Sequence, residues 1–265
     1  MTKLTYKLMN LIQTLILSIV EGITEFLPIS STGHLILVSK LLNLSQTEFV
    51  KSFEIAIQLG AIMAVTVLYY RKLIDNKKLY PRILVAFLPS AIIGFILYKF
   101  IKQYLIGDPQ IVLTSLFIGG ILLIILERIL VKIKIKNDLT IEELNLKSCL
   151  LVGLSQTVSM IPGVSRAAAT IIGGISVGLS RSNAVEFSFL LAVPTMAAAT
   201  GLDLIKSYQY FSPQDVKLLI VGFIVSFISA KIAVEWLIKF MKNHSLAAFG
   251  VYRIILAIAF WIFIK

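Results

Sequence analysis

Apolar runs of span length recur along this chain, and they leave few folds open to it. The stretches 53–70, 83–101, 111–131, 184–205, 216–236 and 246–264 carry little charge, and about 20 apolar residues suffice to cross a bilayer as a helix. In lipid, every backbone polar group has to be satisfied within the protein, so only helices and closed barrels span. Runs this long are helices. The expected fold is an all-α integral membrane protein, a polytopic helical bundle with these six spans. Composition agrees, with 58% hydrophobic and 15% charged residues, against about 25% charged in soluble domains.

Two further apolar regions, 8–42 and 148–179, are too long for one span. Each is broken near its middle, at Pro28 and at Pro162-Gly163. Proline removes a helical hydrogen bond and clashes with the preceding turn, so each region reads as helix, loop and helix again. Non-helical backbone at membrane depth survives only inside protein or beside a watery cavity. The breaks therefore mark polar pockets.

The two breaks look related. "VEGITEFLPISSTGHLI" and "LSQTVSMIPGVSRAAATI" share an acidic or amide residue, a proline, a serine and a following helix, and "FEIAIQLG" and "FSFLLAVP" follow at similar distances. An odd number of spans separates them. The chain thus reads as a single transmembrane domain, 1–265, of two inverted-topology halves, about 1–134 and 135–265. Broken helices at matching positions in such halves point to a site where the halves meet.

The net charge of +11 does not imply nucleic acid, because the basic residues fall in short gaps between apolar runs, as topology signals do. Arg71, Lys72, Lys77, Lys78, Arg82, Lys132, Lys134, Lys136, Lys147, Arg181, Lys239 and Lys242 share one side. Lys40, Lys51, Lys102 and Lys265 are among the smaller set opposite. The richer side is expected to be cytoplasmic, so the mouth of the first break faces outward. Lys3 and Lys7 precede an apolar run without a small-residue cleavage site, so that segment reads as retained. A lone cysteine, Cys149, excludes an internal disulfide and a Cys-rich metal site.

The chemistry sits in the breaks. Glu21 and Glu25 are one helical turn apart and share a face. Paired carboxylates suit Mg²⁺ or Ca²⁺, and Mg²⁺ commonly joins one or two carboxylates to substrate phosphates. Ser30, Ser31 and Thr32 supply caps for the restarting helix, whose first N–H groups form an anion site. His34, three residues after Ser31, places a possible base beside a possible nucleophile. In the second break Ser165 can cap the next helix, and Arg166 adds a guanidinium whose planar fork suits phosphate oxygens. Thr170 lies one turn later. Gln58 and Glu54 are expected to border the pocket, and Arg253, within the last span, to pair with a carboxylate.

"EGITEFLPISSTGH" together with "PGVSR" and Thr170 resembles the paired signature of the undecaprenyl-diphosphate phosphatases, bacterial membrane enzymes linked to bacitracin resistance. "FEIAIQLGAI", "FSFLLAVP" and "FGVYRI" resemble further blocks of that family in the same order. The likeness covers nearly the whole chain. One departure is Ala167-Ala168, where the family continues with Ser-Gly. The resemblance implies active-site roles for Glu21, Glu25, Ser31, His34, Ser165, Arg166 and Thr170, a divalent-metal requirement, and a site open to the outer face of the bacterial cytoplasmic membrane. It implies removal of the terminal phosphate of undecaprenyl diphosphate, which recycles the cell-wall lipid carrier and confers bacitracin resistance. The partners are then the polyprenyl diphosphate and membrane lipids, with a homodimer left open. Ser31, His34 and a metal-activated water all stand as candidate nucleophiles. Inverted repeats with broken helices are equally the mark of a transporter or flippase of an anionic lipid.

Overall fold

The computed structural model describes residues 9–45, 47–101, 105, 108–133, 138–207 and 213–263. Lys3, Lys7, Lys102, Lys134, Lys136, Lys265 and the expected boundary between the halves lie outside the described residues. Ten α-helices follow one another along these residues: α1 (Leu11–Thr24), α2 (Ser31–Leu41), α3 (Glu48–Asp75), α4 (Leu79–Phe100), α5 (Pro109–Ile133), α6 (Leu146–Thr157), α7 (Arg166–Ser176), α8 (Arg181–Ser207), α9 (Pro213–Met241) and α10 (Ala247–Phe263). Five of them, α3, α4, α5, α8 and α9, are long and apolar enough to cross a membrane. The run expected over 246–264 is α10, a shorter apolar helix of 17 residues. The protein is a multi-pass helical membrane protein.

Each broken region is a pair of short helices, α1 with α2 and α6 with α7. At 1.5 Å per residue the 14 residues of α1 and the 12 of α6 cover only part of an apolar core about 30 Å thick. The start of α1 meets the end of α2, where Gln13 Nε2 reaches the Leu42 carbonyl at 3.5 Å. In the second hairpin Ser155 Oγ donates to the Ala169 carbonyl at 3.0 Å.

Small residues set how these hairpins dock. A Cβ on Gly22 of α1 would lie 2.5 Å from the Ser226 carbonyl oxygen of α9, and one on Gly153 of α6 would lie 2.2 Å from that of Ala86 on α4. Such close backbone approach is the usual way helices associate in lipid, where the surrounding solvent offers no hydrophobic drive. Between α5 and α10 the approach is reciprocal. A Cβ on Gly120 would meet the Gly250 carbonyl oxygen, and one on Gly250 that of Gly120, each at 2.7 Å.

Two of the basic residues that the sequence places on one side, Lys72 and Arg82, meet the segment that leads into α6. Lys72 pairs with Glu142 and Glu186, Asn76 donates to Glu142, and Arg82 donates to the Glu142 and Leu144 carbonyls. The start of α6 lies beside these contacts, and its far end leads into the second break.

Candidate active site

The two breaks meet across a cavity of about 180 Å³ lined by Glu25, Ser30, Ser31, Thr32, Gln58, Ser159, Pro162, Gly163, Ser165, Arg166 and Met196. That is well below the roughly 300–1,000 Å³ of pockets that enclose drug-sized ligands. It suits a phosphate head, and its wall is mostly polar.

The two helices that begin at this cavity are started alike. Ser30 has φ 71°, ψ 94° and caps α2 by accepting from the Gly33 N–H; Ser165 has φ 78°, ψ 114° and caps α7 by accepting from the Ala168 N–H. A positive φ on a residue with a side chain costs about 1–3 kcal/mol and tends to persist at functional sites. Glycine would relieve the strain at both positions but would lose the cap. Each serine uses a lone pair for its cap, so its O–H proton remains free for another acceptor. Both helix starts present free N–H groups and the positive end of the helix dipole to the cavity.

Glu25 joins the halves. One carboxylate oxygen, Oε2, accepts the Ser31 hydroxyl at 2.5 Å. The other, Oε1, accepts from Arg166 Nη2 at 2.9 Å. The guanidinium is held further by Nη1 donating to the Ser188 carbonyl at 3.0 Å, and it lies over the Phe26 ring at 5.5 Å. A hydroxyl donating to a carboxylate has its proton already directed at an acceptor. This is the arrangement of a nucleophile and its base.

The expected Ser31–His34 pair does not form. His34 Nδ1 lies 2.7 Å from the Ser30 carbonyl oxygen, and Nε2 lies 2.8 Å from the Tyr252 hydroxyl. A carbonyl only accepts, so the proton sits on Nδ1 and Nε2 accepts from tyrosine. The two rings stack at 5.6 Å, nearly parallel. His34 is buried and absent from the cavity wall. Helical spacing put it on the Ser31 side, but the long-range bond to Tyr252 decides where the ring goes.

Thr170 is also displaced from its expected place. It is fully buried, behind the wall, with its hydroxyl on the Arg166 carbonyl and 2.6 Å from Ser188 Oγ. It fixes Ser188, which in turn holds Arg166. Gln58 lines the cavity as expected, whereas Glu54 accepts the Ser39 hydroxyl outside it. Arg253 pairs with carbonyls rather than a carboxylate, among them those of Gly163 and Val164 in the second break. Sequence reading gave no role to Tyr252 or Ser188; the polar pair within "FGVYRI" was the available signal.

A divalent cation can be tested against the residues present. Glu21 is fully buried, and neither of its carboxylate oxygens receives a hydrogen bond. Leaving a buried carboxyl group unsatisfied is costly, and its two oxygens beside Glu25 form a donor set suited to a hard cation. Among the described residues no cluster of three His, Cys, Asp or Glu side chains surrounds a metal. Of the two carboxyl groups only Glu25 lines the cavity, and Glu21 lies behind its wall. The group fits.

The family model described as bacitracin resistance protein BacA matches residues 14–259. An undecaprenyl-diphosphatase of Aquifex aeolicus is 52% identical, over 94% of this chain and 96% of its own. One from a Sulfurihydrogenibium species is 51% identical over 96% and 99% of the two chains, and one from Persephonella marina 47% over 97% and 100%. The family model's match runs through both breaks, α3 and α8 and into α10.

Proposed function

Because the chain belongs to the family of the bacitracin resistance protein BacA, we propose that the Ser31–Glu25–Arg166 constellation is the centre of its phosphatase activity. The protein is a membrane hydrolase that removes the terminal phosphate of undecaprenyl diphosphate and returns undecaprenyl phosphate as lipid carrier, the activity behind bacitracin resistance. The observation that carries the site assignment is the Ser31 hydroxyl donating to Glu25, which in turn is paired to Arg166.

The reaction follows from that chain of contacts. Ser31 Oγ attacks the terminal phosphorus and its proton passes to Glu25 Oε2. The P–O bond to the bridging oxygen breaks, the electron pair leaves on undecaprenyl phosphate, and a phosphoserine remains. Water then attacks the phosphoserine phosphorus, a proton returns to Ser31 Oγ, and inorganic phosphate departs. Arg166, the N–H groups that start α2 and α7, and the hydroxyls of Ser30, Thr32 and Ser165 take up charge on the non-bridging oxygens. Stabilising that charge is usually the largest contribution to phosphoryl transfer. Glu21 and Glu25 are the residues that would hold Mg²⁺ or Ca²⁺, which when bound neutralises charge on the diphosphate. His34 acts from behind, through the Ser30 carbonyl.

The placement extends to the membrane. The lipid tail stays in the bilayer while the head enters the cavity, and the cavity opens on the outer face of the bacterial cytoplasmic membrane. The two halves, each a hairpin followed by three longer helices, are inverted repeats. A homodimer is compatible with this arrangement and is tested by mass measurement in detergent.

Broken helices serve transporters as readily as hydrolases, so the deciding experiment excludes transport. Purified protein in detergent, where no gradient exists, should release inorganic phosphate from undecaprenyl diphosphate. Binding without release would favour the flippase reading instead.

A further inference from the structure

Arg253 is the largest fully buried side chain among the described residues, 1% exposed, in the apolar helix α10. A charge at such a site is expensive and is retained for a partner. Its guanidinium donates to three backbone carbonyls: Nη1 to Val164 at 2.9 Å, and Nη2 to Gly163 at 2.7 Å and to Ser115 at 3.1 Å. The first two belong to the second break. Carbonyls freed by a broken helix have to find donors in lipid, and Arg253 supplies them.

Ser115 lies on α5, so the guanidinium also fastens the loop to that helix. The loop is seated there already, because a Cβ on Gly163 would lie 2.7 Å from the Val112 carbonyl oxygen and 2.8 Å from Ser115 Cβ. With φ at +97°, Gly163 adopts a conformation that favours glycine. The space for the guanidinium is made by Gly119, where a Cβ would come within 2.2 Å of Arg253 Nη2.

The geometry points to Arg253 as a positioning residue for hydrolysis, acting on Arg166 through the peptide that precedes Ser165. Holding the Val164 carbonyl sets the plane of the Val164–Ser165 peptide. That plane governs the positive φ of Ser165, and through it the direction in which α7 begins. Arg166 is the first residue of α7. A swing of the loop would carry the guanidinium away from Glu25 and turn the free N–H groups off the cavity. The inference rests on the phosphatase reading.

The test uses the full chain in detergent and two substitutions. Arg253→Lys keeps the charge but cannot span three carbonyls. Gly119→Ala leaves Arg253 intact and crowds Nη2, while alanine raises helix propensity, so it serves if Arg253→Lys does not fold. Each should lower kcat/KM by roughly 10- to 100-fold, the scale on which a misplacement of about 1 Å acts, and weaken inorganic phosphate binding by a similar factor. Melting temperature should fall for Gly119→Ala, because the buried guanidinium has to shift to admit the Cβ, and activity is compared well below that transition. On an Arg166→Lys background either substitution should cost less than threefold more, since effects relayed through one residue do not add. Full multiplicative loss on that background, or unchanged phosphate affinity in Gly119→Ala, would overturn the assignment. Phosphate affinity reads without turnover, so a wild-type protein that binds phosphate but hydrolyses nothing would count against the phosphatase reading alone.

Discussion

Glu25 and Arg166 stand 2.9 Å apart although 141 residues separate them. One closes the first broken helix and the other opens the second, so the pair joins the hairpins at the cavity. Glu25 also takes the Ser31 hydroxyl of its own hairpin, whereas the Arg166 guanidinium bonds to Glu25 and Ser188, both outside its hairpin. A buried pair of this kind is weak support for stability, because the desolvation of both charges offsets most of the attraction. Its value lies in readiness: phosphate can displace the carboxylate from the guanidinium without moving the backbone.

Arg166→Lys should lose about 100- to 1,000-fold in kcat, the usual cost of removing one donor from developing negative charge. Lysine cannot keep the Ser188 carbonyl and Glu25 at once. Steady-state kinetics on undecaprenyl diphosphate checks this, and near-wild-type turnover would reduce Arg166 to a structural ion pair.

Glu25→Gln should lower kcat by about 10²- to 10⁴-fold, the contribution of a positioned base. Ser31→Ala should fall to background and yield no acid-stable phosphoprotein. Substantial residual hydrolysis in Ser31→Ala would transfer the attack to water.

The cation is tested without turnover. Mg²⁺ or Ca²⁺ should raise the melting temperature of wild-type protein in detergent, since a ligand that binds only the folded state stabilises it. Glu21→Gln should abolish that rise while melting at least as high as wild type in EDTA, having lost an unsatisfied buried carboxyl group. EDTA should also stop hydrolysis by wild type; undiminished activity would remove the metal from the reaction.

Orientation is tested by labelling in intact cells. Lys77→Cys, beyond the end of α3, should react with impermeant thiol reagent only after the cytoplasmic side is opened. Ser45→Cys should react from outside. Cys149 is buried and stays silent. Labelling in the reverse sense would turn the site inward and leave the chemistry unaltered.

The breaks were legible because polar groups inside apolar runs have no bland use in lipid. Glu21, Glu25, Ser31 and Arg166 stand out for that reason, and Ser30, Thr32 and Ser165 follow from capping rules. The pairing was not legible. Helical spacing says that His34 and Ser31 share a side, but the rotation of α2 about its axis depends on Tyr252, 218 residues away. Arg253 was visible as a buried charge, yet its partners are carbonyls, which every residue carries and no sequence pattern marks. Thr170 fell behind the wall because α7 packs against α8 through Ser188. The sixth span differed only in length, for α10 gains its place from close glycine packing on α5 rather than from a long apolar run.

The reach of α10 has a consequence for biogenesis. Tyr252 holds the first break through His34, and Arg253 holds the second through Gly163 and Val164, 90 and 89 residues upstream. Earlier helices can enter the bilayer as the ribosome delivers them, but neither hairpin has its brace until α10 arrives. The nascent chain therefore remains inert through most of its synthesis. Catalytic competence comes late, when α10 docks against α5.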